Sequence, residues 1–282
     1  MHTKKSHTLL MSSLGKVAVV TGSNKGIGFF IAKKLAEAEC AVVMACRDQG
    51  RMDAAISEIR ATVPTATLTG VCCDVADEGS VVKAAAAVRA LYPAGVNILV
   101  NNAGFAFKVD ATDPFGYQAK VSIGINYFGV LAMTTQFLPL MVQDGNSRIV
   151  TVGSRAGELG DLKPNLVVEL TRPDLSVAQL TAFMNEFIDL ATAGTHQDRG
   201  WKDSAYGASK TAANLLSAVL ARDPAFLKIQ VNACCPGWCR TDMAGMEATS
   251  SAEEGADTPV WLALQGAGST GKFFAERKEI PF

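Results

Sequence analysis

From Lys16 onward the chain alternates short apolar runs rich in β-branched residues with longer stretches whose apolar positions recur at helical spacing. "KVAVV" precedes "GIGFFIAKKLAEAE", "AVVMAC" precedes "RMDAAISEIRATV", and "ATLTGVCC" precedes "EGSVVKAAAAVRALY". A short, nearly continuous apolar run reads as a strand buried on both faces, and the helical period between two such runs as a covering helix. The rhythm continues through "VNILVNNAG", "QAKVSIGINYFGVLAMTTQFLPLM", "SRIVTVGS", "SAYGASKTAANLLSAVLARD" and "IQVNACCPGW". Strand and helix in repetition predict an α/β fold, a single doubly wound parallel sheet, with its ligand at the carboxyl ends of the strands. No composition break or internal repeat divides residues 15–282, which are expected to form one domain behind a disordered N-terminal extension, residues 1–14.

One stretch interrupts the rhythm, at about 157–200. It carries its own helical period at Val177, Leu180, Met184, Phe187 and Ile188. Ser176 and Gln179 stand at capping-box spacing at its start, and Gly194 suits its end. A surface helix packed by its apolar stripe and a separate binding module both fit this pattern.

Composition narrows the function. With 282 residues, 49% hydrophobic and 19% charged, the chain has the make-up of a packed globule. A net charge of -1 and no long basic run remove the electrostatic footprint of a nucleic-acid binder, so the expected partner is a small molecule. No uninterrupted apolar run reaches the roughly eighteen residues of a membrane span, and no membrane partner is expected. The seven cysteines are odd in number and follow no secretory leader, which points to reduced thiols and a cytoplasmic location. Cys72-Cys73 and Cys234-Cys235 lack metal-ligand spacing and only three histidines are present, so no metal is assigned. Met11 offers an alternative start, and targeting by the leader stays open.

The first strand runs into "TGSNKGIG", which spaces Gly22, Gly26 and Gly28 across a strand-to-helix turn. Such a turn can present backbone N–H groups and a helix N-terminus to a pyrophosphate, although glycine also serves plain tight turns. At the end of the second strand an acidic residue would select the ribose 2′-hydroxyl of NAD, and an arginine the 2′-phosphate of NADP. Arg47 stands there, with Lys25 in the glycine turn as a second cation and Asp48 as an opposing charge. The chemistry favours NADPH/NADP unless both cations are solvated surface charges. Further along, "SAYGASK" puts Tyr206 and Lys210 four residues apart on one helix face. This is either a satisfied core pair or a tuned acid.

Taken together, "TGSNKGIG", "NNAG" at Asn101 to Gly104, a serine ending the fifth strand, "YGASK" and "PGWCRT" at Pro236 to Thr241 resemble the short-chain dehydrogenase/reductase family. The resemblance runs from about Lys16 to the C-terminus. The long insertion before the tyrosine, "NACCPGWCRTDMAG" and "EEGADTPVWLAL" bring the chain closest to the monomeric NADPH-dependent carbonyl reductases. The resemblance implies a Rossmann fold and a catalytic set of Asn126, Ser154, Tyr206 and Lys210. Tyr206 would donate a proton to a carbonyl oxygen as hydride reaches the carbon, with Lys210 lowering its pKa. Ser154 would steady the oxygen, and Asn126 would hold a water linking Lys210 to solvent.

For the cofactor it implies Gly22, Asn24, Lys25, Gly26, Ile27 and Gly28 around the phosphates and Arg47 at the 2′-phosphate. Asp74 and Val75 would lie by the adenine, and Asn101, Ala103 and Gly104 along the adenosine ribose side. Tyr206 and Lys210 would reach the nicotinamide ribose, with Pro236, Gly237 and Thr241 near the carboxamide. Arg155, Cys234 and Trp238 are candidate substrate-pocket residues, and Arg155 and Cys239 stand where the nearest carbonyl reductases carry aliphatic or hydrophobic residues. The implied reaction is NADPH-dependent reduction of aldehydes, ketones or quinones to alcohols. Oxidation of a specific secondary alcohol, of steroid or prostaglandin type, and non-catalytic NADPH sensing remain alternatives. The insertion helix would cover the face that other members use to dimerise, so a monomer is expected.

Overall fold

A computed structural model describes residues 15–266 and 268–282. The expected N-terminal extension, with Met11, lies outside the described residues. The apolar runs form strands β1 (Val17–Thr21), β2 (Ala41–Cys46), β3 (Leu68–Cys72), β4 (Ile98–Asn101), β5 (Ser147–Val152) and β6 (Ile229–Cys235). Two short strands follow, β7 (Phe273–Ala275) and β8 (Lys278–Ile280), in a sheet of order β3-β2-β1-β4-β5-β6-β7-β8. Strands β1 to β7 run parallel, in agreement with the reading above. β8 is antiparallel to β7, because only Glu276 and Arg277 separate Ala275 from its partner Lys278. Both turn residues have positive φ, as a two-residue hairpin demands, and so short a link cannot make the crossover a parallel strand needs.

Alternation along each strand sends side chains to two helical layers. Ala18 and Val20 of β1 pack under α1 (Gly26–Glu37) and α2 (Gln49–Thr62), in one cluster with Leu262 and Ala263 of α11 (Asp257–Leu264), which follows the single-turn α10 (Ala252–Gly255). Val17 and Val19 face α3 (Glu78–Leu91), α4 (Phe115–Ile123), α5 (Gly129–Phe137) and α9 (Ala205–Leu220). Side-chain caps start several of these helices: Asp48 accepts from Arg51 N, Asp77 from Gly79 N and Ser204 from Gly207 N.

α4 and α5 are one helical rod joined by a π turn, Gly124–Phe128. Gln118, Lys120 and Asn126 keep its apolar runs short, yet the whole stretch Phe115–Leu140 has 26 residues and an 18-residue window of mean hydropathy 1.3, enough for a membrane span by length and composition. Half of it is buried, with Ile123, Tyr127, Met133 and Phe137 in the sheet's core, so its apolar character serves packing.

The interrupting stretch forms two single turns, α6 (Pro164–Leu170), α7 (Val177–Ala193) and α8 (His196–Arg199). The capping box is present, with Gln179 N donating to Ser176 Oγ and Ser176 N to Gln179 Oε1. Gly194 ends α7 at φ 74°. Leu180, Met184, Phe187 and Ala191 belong to the same cluster as Tyr127 and Leu215, so α7 extends the main core.

Candidate active site

The loops that build the site leave the carboxyl ends of β1, β2, β4, β5 and β6, on either side of the point where strand order reverses between β1 and β4. Gly22 and Gly26 have φ of 61° and 57°, a region costly for other residues. A Cβ on Gly28 would lie 2.3 Å from Asn102 Nδ2 and 2.4 Å from the Gly22 carbonyl oxygen. Asn102, absent from the sequence reading, is what holds the turn: its amide donates to Thr21 O at 2.9 Å and Gly22 O at 3.2 Å. α1 itself begins at Lys25 with no side-chain cap and no acidic residue in its first turn. Its N–H groups are thus left for an anion, the feature by which these residues fit a dinucleotide pyrophosphate. Asn24 and Ile27 complete the turn, with Ile27 packed toward Gly255.

Toward the adenosine side lies a cavity of about 410 Å³ lined by Asn24, Lys25, Arg51, Ala54, Ala55, Glu58 and Asp242. Arg47 is exposed at the end of β2, as expected of a phosphate reader. Arg51, in the first turn of α2, went unnoticed in the sequence; its place one turn into the helix capped by Asp48 was the available signal. Asp48 does not simply oppose Arg47, because its carboxylate caps α2 and lies 3.6 Å from Arg51 Nε. Lys25 Nζ contacts Asp242 Oδ2 at 2.6 Å, and the Lys25 hydrogen bond and charge hold the Asp242 carboxyl below its ordinary range. Lys108 Nζ also donates to the Asp242 carbonyl, linking the loops after β1, β4 and β6. Thr241 lies against the glycine turn, its Cγ2 3.3 Å from where a Gly26 Cβ would be. Gly237 turns at φ 87° after the partly buried Pro236.

Asp74 makes an Asx turn, accepting from Ala76 N at 3.0 Å, and Val75 packs against Gly129. Ala103 N donates to Thr21 Oγ1, and Gly104 faces Lys210. The expected ribose contact of Asn101 does not fit. This side chain is 2% exposed and donates to Thr134 Oγ1 at 3.0 Å, bracing β4 against α5 from inside the protein.

α9 carries Tyr206 and Lys210, and the residues around them come from four other elements. Ser154 follows β5 in extended conformation, its Oγ accepting from Ala156 N at 3.1 Å, and its hydroxyl acts to lower the pKa of the Tyr206 phenol. Asn214, fully buried two turns along α9 from Tyr206, fixes the Ser154 backbone: its Nδ2 donates to Ser154 O and its Oδ1 accepts from Ser154 N. A buried amide on an apolar helix was the missed signal. Lys210 is 5% exposed, with Nζ donating to Val152 O at 2.7 Å and lying 5.8 Å from the centre of the Tyr206 ring. Burial pulls this ammonium down to about 8.

The expectation that Lys210 lowers the tyrosine's pKa is not met. Burial is the dominant influence and pushes the phenol up, with the Ser154 hydroxyl acting in the other direction. Asn126 sits in the π turn with its side chain buried among protein partners. Its Nδ2 donates to Phe105 O and Ser209 Oγ, and its Oδ1 accepts from Phe105 N, at 2.8 to 2.9 Å. Ser209 Oγ in turn donates to Tyr206 O at 2.7 Å. Asn126 therefore ties the loop after β4 to the first turn of the tyrosine helix.

On the substrate side Trp238 is 54% exposed in the loop after β6. Arg155 is also exposed and lies 3.4 Å from Glu158 Oε1. Cys234 cannot line a pocket. It points into the core at 0% exposure, where burial pushes its thiol far up. Cys239 is buried as well, its sulfur beside the Pro236 carbonyl. Phe105, Phe107 and Tyr117 form edge-to-face pairs across the mouth, with ring centres 5.0 and 6.0 Å apart.

A family model for short chain dehydrogenases matches residues 16–163 and 192–252, leaving most of the α6–α7 interruption outside the matched segments. The carbonyl reductase (NADPH) 1 of Bos taurus is 38% identical over 280 residues, covering 96% of this chain and 99% of that protein. The Homo sapiens protein of the same name is 39% identical over 278 residues, covering 95% and 99%. Salutaridine reductase from Papaver somniferum superposes with a TM-score of 0.84 at 29% identity, over 92% of this chain and 99% of that one. With the glycine turn, the Ser154, Tyr206 and Lys210 cluster and these likenesses in agreement, the chain belongs to the short-chain dehydrogenase family.

Proposed function

We propose that this protein reduces carbonyl compounds, namely aldehydes, ketones or quinones, to alcohols at the expense of NADPH. The observation that carries the reading is the buried Lys210, its Nζ 5.8 Å from the centre of the Tyr206 ring, on the helix that Asn214 ties to Ser154, at the strand ends where the glycine turn leaves α1 uncapped. Two relatives that span nearly the whole chain bear the name NADPH carbonyl reductase. Arg47 and Arg51 read the 2′-phosphate, with Lys25 sharing its charge between that phosphate and Asp242. The nicotinamide, when bound, supplies the hydride.

Tyr206 donates its proton to the carbonyl oxygen. Burial keeps the phenol protonated at neutral pH, the state a proton donor needs. Ser154 donates to the same oxygen and steadies the charge that develops on it. Lys210, held by the Val152 carbonyl and charged below about pH 8, reaches the nicotinamide ribose. Asn126 acts as a positioning residue, holding Phe105 and, through Ser209, the Tyr206 backbone.

Trp238, Met243 and Met246 are exposed at the mouth, opposite an aromatic set, while Arg155 is paired with Glu158. This lining suits apolar carbonyls over anionic ones. α7 packs over α4 and α9 and covers the helical face by which a second copy would dock, which supports a monomer of 29.7 kDa. The odd number of cysteines, with no disulfide among the described residues, supports a reducing, cytoplasmic setting, and the net charge of -1 supports a small molecule over nucleic acid as partner.

The test is NADPH absorbance with a panel of quinones, aromatic aldehydes and keto acids. Tyr206→Phe should lose about 10²- to 10⁴-fold in kcat while binding NADPH and melting like the native protein. Retention of most turnover in a folded variant would remove the assignment.

A further inference from the structure

Cys46 ends β2 and Cys72 ends β3, and the two are direct register partners on adjacent parallel strands. Their side chains leave the sheet on the same face. Met44 and Cys46 belong to the cluster under α2, and Gly70, two residues before Cys72, lies directly against Met52 and Ile56 of that helix. Cys73 is excluded, since it points to the opposite layer and packs on Met133. Neighbouring strands stand about 4.8 Å apart, inside the Cα separation of about 4.4 to 6.8 Å that a disulfide spans. The thiols differ in access: Cys72 is exposed, with its sulfur 3.6 Å from the Arg47 carbonyl oxygen, whereas Cys46 is 1% exposed and 3.4 Å from Ser23 Oγ in the glycine turn.

We propose that Cys46 and Cys72 form a reversible disulfide that switches the adenosine end of the cofactor cleft. The accessible Cys72 reacts first: its sulfur attacks a hydroperoxide, the O–O bond breaks, and a sulfenic acid and an alcohol (or water) result. The Cys46 sulfur then attacks the Cys72 sulfur, the S–S bond forms, and the sulfenic hydroxyl leaves as water with the remaining thiol proton. Two electrons pass from the two thiols to one hydroperoxide, and a dithiol returns them by exchange.

A disulfide needs its Cβ atoms about 3.8 Å apart, closer than parallel strands normally hold them, so the ends of β2 and β3 must pinch together. That movement withdraws Cys46 from Ser23 and shifts Arg47, the next residue. The consequence for the cofactor rests on the reading of this end as the 2′-phosphate site.

The experiment uses the full chain. NADPH affinity is measured by fluorescence titration on reduced protein, after hydrogen peroxide, and after dithiothreitol, with peptide mapping of each state without reductant. The expected result is a cross-linked peptide joining Cys46 and Cys72. NADPH binding should weaken about tenfold, the equivalent of one charge-assisted contact, and recover in dithiothreitol. Cys72→Ser, an exposed substitution, should show neither change. Cys72 oxidised to sulfenic or sulfinic acid, or joined to another cysteine, with Cys46 free, overturns the disulfide. A Cys46 to Cys72 link with unchanged NADPH affinity overturns the switch. Reduced protein that binds no NADPH overturns the functional reading instead, while the peptide map still decides the disulfide.

Discussion

Gly157 lies in the single turn after Ser154 and is buried against the catalytic helix. A Cβ at this position would sit 2.4 Å from the Lys210 carbonyl carbon and the Thr211 nitrogen, and 2.7 Å from the Lys210 oxygen. Ordinary contacts begin near 3.4 Å, so Gly157→Ala requires the turn and α9 to separate by about 1 Å. The obstructing atoms are helix backbone and cannot swing aside as a side-chain end would. Overpacking of this kind costs about 1–3 kcal/mol. For a domain of this size that lowers Tm by roughly 2–4 °C per kcal/mol.

The larger effect should be chemical, because the gap opens between Ser154 and Lys210. A displacement of about 1 Å in a reacting constellation costs on the order of 10²-fold in rate. Denaturant melts and steady-state reduction on Gly157→Ala measure both, with Gly160→Ala as control, since nothing lies within 4 Å of a Cβ there. A Gly157→Ala protein that melts and turns over like the native one would refute the packing account, and equal losses in the control would refute its locality.

Four further outcomes follow from the site. Because the Lys210 ammonium is held down at about 8 from 10.5, it is charged below that pH, so kcat for reduction should be level below pH 8 and decline above it. The same depression means that the unfolded chain binds the extra proton between about 8 and 10.5, so this group's contribution makes stability rise with pH there, as urea melts at several pH values would register. Arg51→Ala should raise KM for NADPH roughly tenfold with little change for NADH, and equal effects on both cofactors would remove Arg51 from the 2′-phosphate. Asn126→Ala breaks one buried and two partly buried hydrogen bonds and should lower stability by about 2–3 kcal/mol in denaturant melts and reduce kcat as the Phe105 loop loosens, whereas an unchanged melt would refute its positioning role.

Periodicity along the chain was enough to place β1 to β6 and the helices between them, because strand and helix signals are local and, apart from the edge strand β3, these apolar runs are buried on both faces. The glycine turn was legible for the same reason: positive φ and close approach demand glycine at particular positions of one short segment. Ser176, Gln179 and Gly194 marked α7 through contacts only a few residues apart. Tyr206 and Lys210 shared a helix face by spacing alone.

The tertiary structure decided what depends on residues distant in sequence. Asn126 grips Phe105 from 21 residues away and Asn214 grips Ser154 from 60, and no local pattern encodes either pairing. Asn101 and Cys234 looked like site residues because neighbouring motif positions face the cleft, but strand alternation turns their side chains into the core. Lys25 was read as a free cation, and only the fold brings Asp242, 217 residues later, against it. Sheet register alone sets Cys46 opposite Cys72. The sequence by itself determined elements, because their causes lie within one turn or one strand. The direction in which each polar side chain points, and whether water reaches it, follows from how those elements pack, and so from the whole chain at once.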